Sequence, residues 1–312
     1  MDIPQHPVAG AVTNQYMSSD DGSVKVPVVY INEESSKKIK EDINRYKWHS
    51  DDFLLATYPK NGTHFMWEIM TMLMRGSADY ITDSKAACML DVFPLSKSDL
   101  VFPSPRVLNT HYRLDVLPQE FRDRKTVLVI RNPKDSAVSM YYHEIHIMAA
   151  INAKLKEWSQ LSFSQYLKMY LFNKDVPYGG YFDYTEYMWS LRDKPNILVI
   201  FFEDLKTDPV ASIQKVNEFM GTQRDADLVQ QIAEATNFEN MKKGKLANTK
   251  MNDELRKQFE GVSADDANDI SNRVYRKGTI GDWKNHLTVA ENEMFDEFLA
   301  NWKPSKEIPF RY

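Results

Sequence analysis

A single cysteine, Cys88, is the whole thiol content of a chain of 312 residues. One thiol excludes an intrachain disulfide framework and a Cys-based metal cluster, and it predicts a reducing compartment, the cytoplasm. Positive charge is also short. Lys and Arg number 39 against 44 Asp and Glu, for a net charge of -5 and a pI near 5.9. A general nucleic-acid binder presents a basic face, so no nucleic-acid partner is expected, although a local basic cluster can hold a small anion within an acidic protein. Long hydrophobic runs are missing too: Ile197–Phe202 is only strand-length, far below the roughly 20 residues of a membrane span. Residues 1–12 lack the basic and apolar regions of a secretory signal, so no membrane partner is expected. The chain has no internal repeat and no low-complexity tract. Its 43% hydrophobic and 27% charged content is that of a globular protein, long enough for one large α/β domain or two small ones.

Residues 1–30 are polar and punctuated by Gly and Pro, which predicts a loosely held arm before a single domain over 31–312. A helix is expected over 34–45. Phe53–Tyr58 reads as a buried strand, followed by a loop and a helix over 63–75. Scattered Pro and Asp in 76–105 predict irregular structure over a cleft. Val107–Thr110, Thr126–Ile130 and Ile197–Phe202 are short apolar runs typical of parallel strands buried on both faces. Pro133 suits the first turn of a helix to about 147, and Pro209 opens another that Gly221 closes. Further helices are expected over 163–173, 182–192, 225–235 and 289–301. Strands alternating with helices indicate an α/β fold with a doubly wound parallel sheet. Residues 242–275 mix Lys, Asn, Asp and Ser with little periodicity and read as a mobile loop, a candidate lid.

Four places carry chemistry. In Leu54–Thr63 an apolar strand runs into a loop with Lys60 and Gly62, and a helix follows at once. Backbone N–H groups, a cation and a helix N-terminus together suit a phosphate or sulfate. The nucleotide-triphosphate loop places its lysine after the second glycine, whereas Lys60 precedes the only one, so ATP is not the first expectation. The plainer alternative is a strand-to-helix turn with a surface lysine. The strand Thr126–Ile130 ends in Arg131, whose planar fork at the carboxyl edge of a parallel sheet suits a phosphate, with Ser139 two turns into the next helix. Arg131 could instead pair with an acid such as Asp135. Arg276-Lys277-Gly278 offers two cations and a close-approaching backbone, or merely a solvated charge pair. His111 follows the strand 107–110, either as a general base or as a structural histidine.

Together these elements resemble the cytosolic sulfotransferases, which use 3'-phosphoadenylyl sulfate (PAPS). Thr57-Tyr58-Pro59-Lys60-Asn61-Gly62-Thr63-His64-Phe65 is similar to the family's opening T-Y-P-K-S-G-T-T-W. Arg131–Asp135 with Ser139 resembles its 3'-phosphate signature, and Arg276–Lys284 its closing R-K-G-x-x-G-D-W-K. The resemblance spans roughly residues 45–303. It implies an α/β fold, a single P-loop-kinase-like domain with a central parallel sheet flanked by helices, that moves the sulfuryl group of PAPS to the hydroxyl of a small phenol or alcohol. It further implies that Lys60 to Phe65 hold the 5'-phosphosulfate and that Arg131, Ser139, Arg276, Lys277 and Gly278 hold the 3'-phosphate. Thr236, Asn237 and Phe238 match its T-x-F near the adenine, and Phe202 lies near the phosphosulfate. His111 matches the catalytic base, and Lys60 would stabilise the leaving phosphate. Sulfuryl carries less charge than phosphoryl, so no metal is required. Lys284, Thr288, Val289 and Glu293 fit the family's dimerisation pattern, which implies a homodimer through 284–293.

Four departures from the family pattern bear on the chemistry. Asn109 stands where a lysine is usual, which removes a cation two residues before His111. Phe65 replaces a tryptophan, Phe202 a tyrosine and His64 a threonine. Two alternatives compete with the transferase. A nucleotide-dependent small-molecule kinase would need a GK[ST] loop and a strand-end aspartate for magnesium, and here the strand ends in Arg131. A catalytically weak nucleotide-binding homologue would explain Asn109. The acceptor itself is not specified, but segments 76–105, 141–150 and 242–270 are expected to wall an apolar pocket.

Overall fold

The computed structural model describes residues 16–18, 25–27, 33–145, 160–172, 176–245 and 276–312. Four parallel strands form the central sheet: β3 (Phe53–Thr57), β4 (Val107–Thr110), β5 (Thr126–Ile130) and β6 (Ile197–Phe201), in the order β4-β3-β5-β6. Every residue of β4 and β5 is buried, because helices cover both faces and leave no polar side for alternation. Leu54, Leu55, Val127, Leu128 and Val129 are fully buried, and each such side chain contributes about 1.5–3 kcal/mol by leaving water. The sheet is therefore a stiff platform, and its carboxyl edge is where the loops of interest emerge.

Helix α1 (Glu33–Arg45) precedes the sheet, and α2 (Thr63–Arg75) follows β3 directly. The Trp67 indole of α2 donates to the Val107 carbonyl at 2.8 Å and pins the helix to β4. Helix α3 (Leu95–Val101) lies before β4, and α4 (Pro133–His143) follows β5. The Asn132 side chain accepts from the N–H groups of Lys134 and Asp135, so α4 starts with its first donors satisfied. Then come α5 (Phe163–Phe172), α6 (Tyr181–Ser190), α7 (Phe202–Thr207), α8 (Pro209–Met220), α9 (Ala226–Ala235) and α10 (Val289–Asn301).

Three expectations need adjustment. Segment 76–105 is not simply irregular: a tight turn at Lys85–Cys88 and helix α3 lie within it. Pro94 enters α3 at φ -60°, and Asp42 accepts from the Ser96 N–H, so the helix is capped from α1 rather than by its own sequence. The last strand stops at Phe201, and Phe202 opens α7. Within the arm, β1 (Tyr16–Ser18) and β2 (Lys25–Pro27) pair antiparallel and lie against the turns at Leu114–Val116 and Pro177–Gly179. The candidate lid falls mostly on 246–275, outside the described residues.

Strand order places the change of direction between β3 and β5, since the chain moves from β3 to β4 on one side and then to β5 and β6 on the other. Ligands of open α/β sheets bind at such a point, beyond the carboxyl ends of the strands. The loops after β3 and β5 are those carrying Lys60 and Arg131.

Candidate active site

The turn after β3 is held in a conformation that few side chains adopt. Lys60 has φ +68° and Gly62 φ +103°. A left-handed non-glycine residue costs on the order of 1–2 kcal/mol and must be held by its surroundings. Here Arg131 Nη1 donates to the Lys60 carbonyl at 3.1 Å, and Thr63 Oγ1 lies 2.6 Å from Thr57 Oγ1 across the turn. A Cβ on Gly62 would come within 2.7 Å of the Phe202 ring, so the glycine serves both the angle and the close approach.

Arg131 does not pair with Asp135 by hydrogen bond. It reaches back to Lys60 and donates through Nη2 to the Thr279 carbonyl at 3.3 Å, with its guanidinium 4.3 Å from the Phe202 ring centroid. Its Nε is buried without a hydrogen-bond partner among the described residues. The Asp135 carboxylate instead accepts from the N–H groups of Gly281 (2.7 Å) and Trp283 (3.0 Å), which binds the closing motif to the start of α4. In that motif Arg276 and Lys277 converge on Asp282 at 2.7 and 2.9 Å, and a Cβ on Gly278 would collide with Phe238. The charges of the two cations thus hold Asp282 well below the usual carboxylate range.

His111 sits at the end of β4 with Nδ1 2.8 Å from the Thr57 carbonyl. A carbonyl only accepts, so Nδ1 carries the proton and Nε2 is the basic atom. Its backbone N–H donates to Asp91 Oδ2 at 2.7 Å, while Asp91 Oδ1 accepts from Thr110 Oγ1 at 2.6 Å. Burial pushes the Asp91 carboxyl up to about 6. Burial also pushes the His111 imidazole down to about 3, with Lys85 and Lys60 adding like-charge repulsion, so it stays neutral near pH 7.

These pieces line one cavity of about 330 Å³. Of the residues expected from the sequence, Lys60, Gly62, Thr63, His64, Phe65, His111, Arg131, Ser139, Phe202, Thr236, Phe238, Arg276, Lys277 and Gly278 meet there. Two do not line it. Asn61 is buried with its side-chain oxygen accepting from Ser136 Oγ at 2.9 Å, and exposed Asn237 accepts from the Asn240 N–H at 2.9 Å to cap a short turn. Lys60 is pushed down to about 8, first by burial and then by Arg131, Lys85 and Arg276. So many cations converging on one cavity describe a site built for a multiply charged anion. Phe65 and Phe238 add aromatic faces, each 6.0 Å from Lys206 Nζ.

Residues 50–305 match the family model described as the sulfotransferase domain. The chain belongs to the sulfotransferase family. Rat sulfotransferase 1C2 is 34% identical over 82% of this chain and 84% of its own length, and human sulfotransferase 1C2 is 34% identical over 86% and 88%. The crystal structure of mouse sulfotransferase SULT7A1 complexed with PAP superposes with a TM-score of 0.66 at 27% identity, covering 86% of this chain and 89% of that one. Three polar lining residues of this sulfotransferase were not singled out from the sequence, although Lys85 and His143 lie in segments expected to wall the pocket. Lys85, Lys206 and His143 all face the cavity. Each is a lone polar residue without a spacing signal. The His143 Nδ1 is buried with no hydrogen-bond partner among the described residues, and burial holds its imidazole well below the usual range.

Proposed function

We propose that this protein moves the sulfuryl group of PAPS to the hydroxyl of a small phenol or alcohol, with His111 as general base and Lys60 stabilising the leaving phosphate. One observation carries the proposal: the His111–Thr57 hydrogen bond ties a neutral imidazole to the strand that delivers Lys60. PAPS, as co-substrate, supplies an activated sulfuryl group. The cations and the aromatic faces support this fit: Lys60, Thr63 and His64 would meet the phosphosulfate, and Arg131, Ser139, Arg276, Lys277 and Gly278 the 3'-phosphate. Phe65, Phe202, Thr236 and Phe238 would bracket the base, with Lys206 beside the rings. Burial is the main cause that depresses His111 and Lys60, and an anion among these groups offsets the added repulsion from neighbouring cations, so both gain basicity as the site fills. His111 Nε2 then takes the acceptor proton, and Lys60 keeps its own. Ala86, Met89, Val92 and Met241 give the other end of the cavity an apolar wall suited to an aromatic or aliphatic acceptor.

The deciding experiment follows labelled sulfate from PAPS to a panel of phenols and alcohols, with and without a chelator. Transfer that survives the chelator is expected. Tight binding of PAP without transfer to any acceptor would leave a nucleotide-binding homologue as the better reading, and phosphoryl transfer from ATP would favour the kinase. Two further assignments belong to the same reading. The lone, buried Cys88 supports a cytoplasmic location. A homodimer through 284–293 is supported by Val289, which is 77% exposed just after the Thr288 capping box. Sedimentation that finds only monomer at high protein concentration would sink the dimer.

A further inference from the structure

A buried ammonium stands beside His111 without having been foreseen. Lys85 is only 6% exposed, yet it lines the same cavity as Lys60 and His111. Its Nζ donates to Asn109 Oδ1 at 3.1 Å. The Asn109 Nδ2 donates to the Cys88 carbonyl at 3.0 Å, which settles the amide so that its oxygen faces the ammonium. The Leu90 N–H donates to the Asn109 carbonyl at 2.9 Å, so the turn carrying Lys85 is fastened to β4 at this residue. The amide oxygen thus orients the ammonium. Asp91, the nearby buried carboxylate, accepts from Thr110 and the His111 N–H and also feels the charge of Lys85. The charge of Lys85 is felt at both functional groups, lowering the pKa of His111 and of Lys60.

We propose that Lys85 supplies the second ammonium of the transfer site, meeting the sulfuryl oxygens, and that Asn109 positions it from the place where the family usually carries the lysine itself. The inference rests on the sulfotransferase reading and deepens it. In the transfer the acceptor oxygen forms a bond to sulfur and the sulfur–oxygen bond to the phosphate breaks. The acceptor proton passes to His111 Nε2, and the electron pair of the broken bond goes to the departing phosphate. Charge rearranges over the sulfuryl oxygens during this step, and a preorganised, largely buried ammonium stabilises it.

The test replaces and then restores the charge. Lys85→Cys and Lys85→Met should each lower kcat about 100-fold or more, in line with the loss of one preorganised donor. PAP affinity by calorimetry should change less than about threefold, because the nucleotide's own cations remain. Treating Lys85→Cys with 2-bromoethylamine rebuilds an ammonium at the same reach and should return kcat to within about tenfold of the native enzyme. The native Cys88 will not compete, since it is buried and its thiol is pushed up to about 12. The assignment is overturned if Lys85→Met keeps kcat within about threefold, or if kcat and PAP affinity fall together and alkylation restores neither. A native enzyme that transfers no sulfate would refute the parent reading instead.

Discussion

The two ends of the cavity are built in different ways. At the end proposed for the nucleotide, contiguous motifs sit on the ends of β3 and β5 and on the closing turn, and hydrogen bonds between side chains and backbone lock them together. Arg131 holds the Lys60 carbonyl, and Asp135 holds the Gly281 and Trp283 N–H groups. At the end proposed for the acceptor, Ala86, Met89 and Val92 share one short segment while His143 and Met241 come from two others, and no motif marks them. A polyanion must be met by several charges at once, which demands fixed geometry and so leaves a motif. An apolar acceptor needs only shape, and many side-chain combinations supply shape. The junction between the ends holds His111, Lys60 and Lys85, and there charge and shape meet.

That contrast can be broken most sharply at the junction. His111→Ala should lower kcat by roughly 1,000-fold, within the range for loss of a positioned base, while PAP affinity by calorimetry stays within about twofold. A fully active variant would show that some other group takes the acceptor proton. A smaller effect should follow from pH. In the free enzyme Lys60 loses its proton near pH 8, so kcat/KM for PAPS should fall above that pH, by about tenfold per unit at the steep limit. Deprotonation removes positive charge from the anion site, which sets the sign. No acid limb is expected near pH 6.5, because His111 is already neutral down to about 3. Rates measured from pH 5 to 10 check both limbs, and a profile flat to pH 10 would contradict the depressed Lys60. The smallest effect belongs to the apolar wall. Met89→Ala should raise the acceptor KM about five- to tenfold and leave PAP affinity unchanged, the low end of the roughly 1–3 kcal/mol that a methylene contributes in such a pocket. A parallel loss of PAP affinity would mean that the two ends are not separable.

How legible each part was follows the same physics. The sheet strands were readable because parallel strands buried on both faces become short apolar runs, and β4 and β5 were read to the residue. Helix α8 was readable because Pro209 and Gly221 mark its ends. Helix α3 was missed because its cap comes from Asp42 of α1, a partner remote in the chain. Within the loop after β3 the residue types were legible but their directions were not. Asn61 turns into the core toward Ser136 while Lys60 turns to the cavity, a choice made by the left-handed φ of Lys60. Asn237 likewise caps a turn instead of lining the cavity.

By itself the sequence determined the parallel α/β architecture and the family to which the chain belongs, and it singled out the three basic motifs that line one cavity. These follow from local patterns: apolar runs, punctuating Gly and Pro, and charges at fixed spacing. Only the tertiary structure decided that His111 holds its proton on Nδ1, that Asp135 accepts from the closing motif instead of pairing with Arg131, and that Lys85 stands beside Asn109. Each of these depends on a partner 20 to 150 residues away in the chain, brought near by the stacking of β3, β4 and β5. Spacing along the chain carries no record of such a meeting, because the distance between two side chains is set by the packing of the elements that bear them.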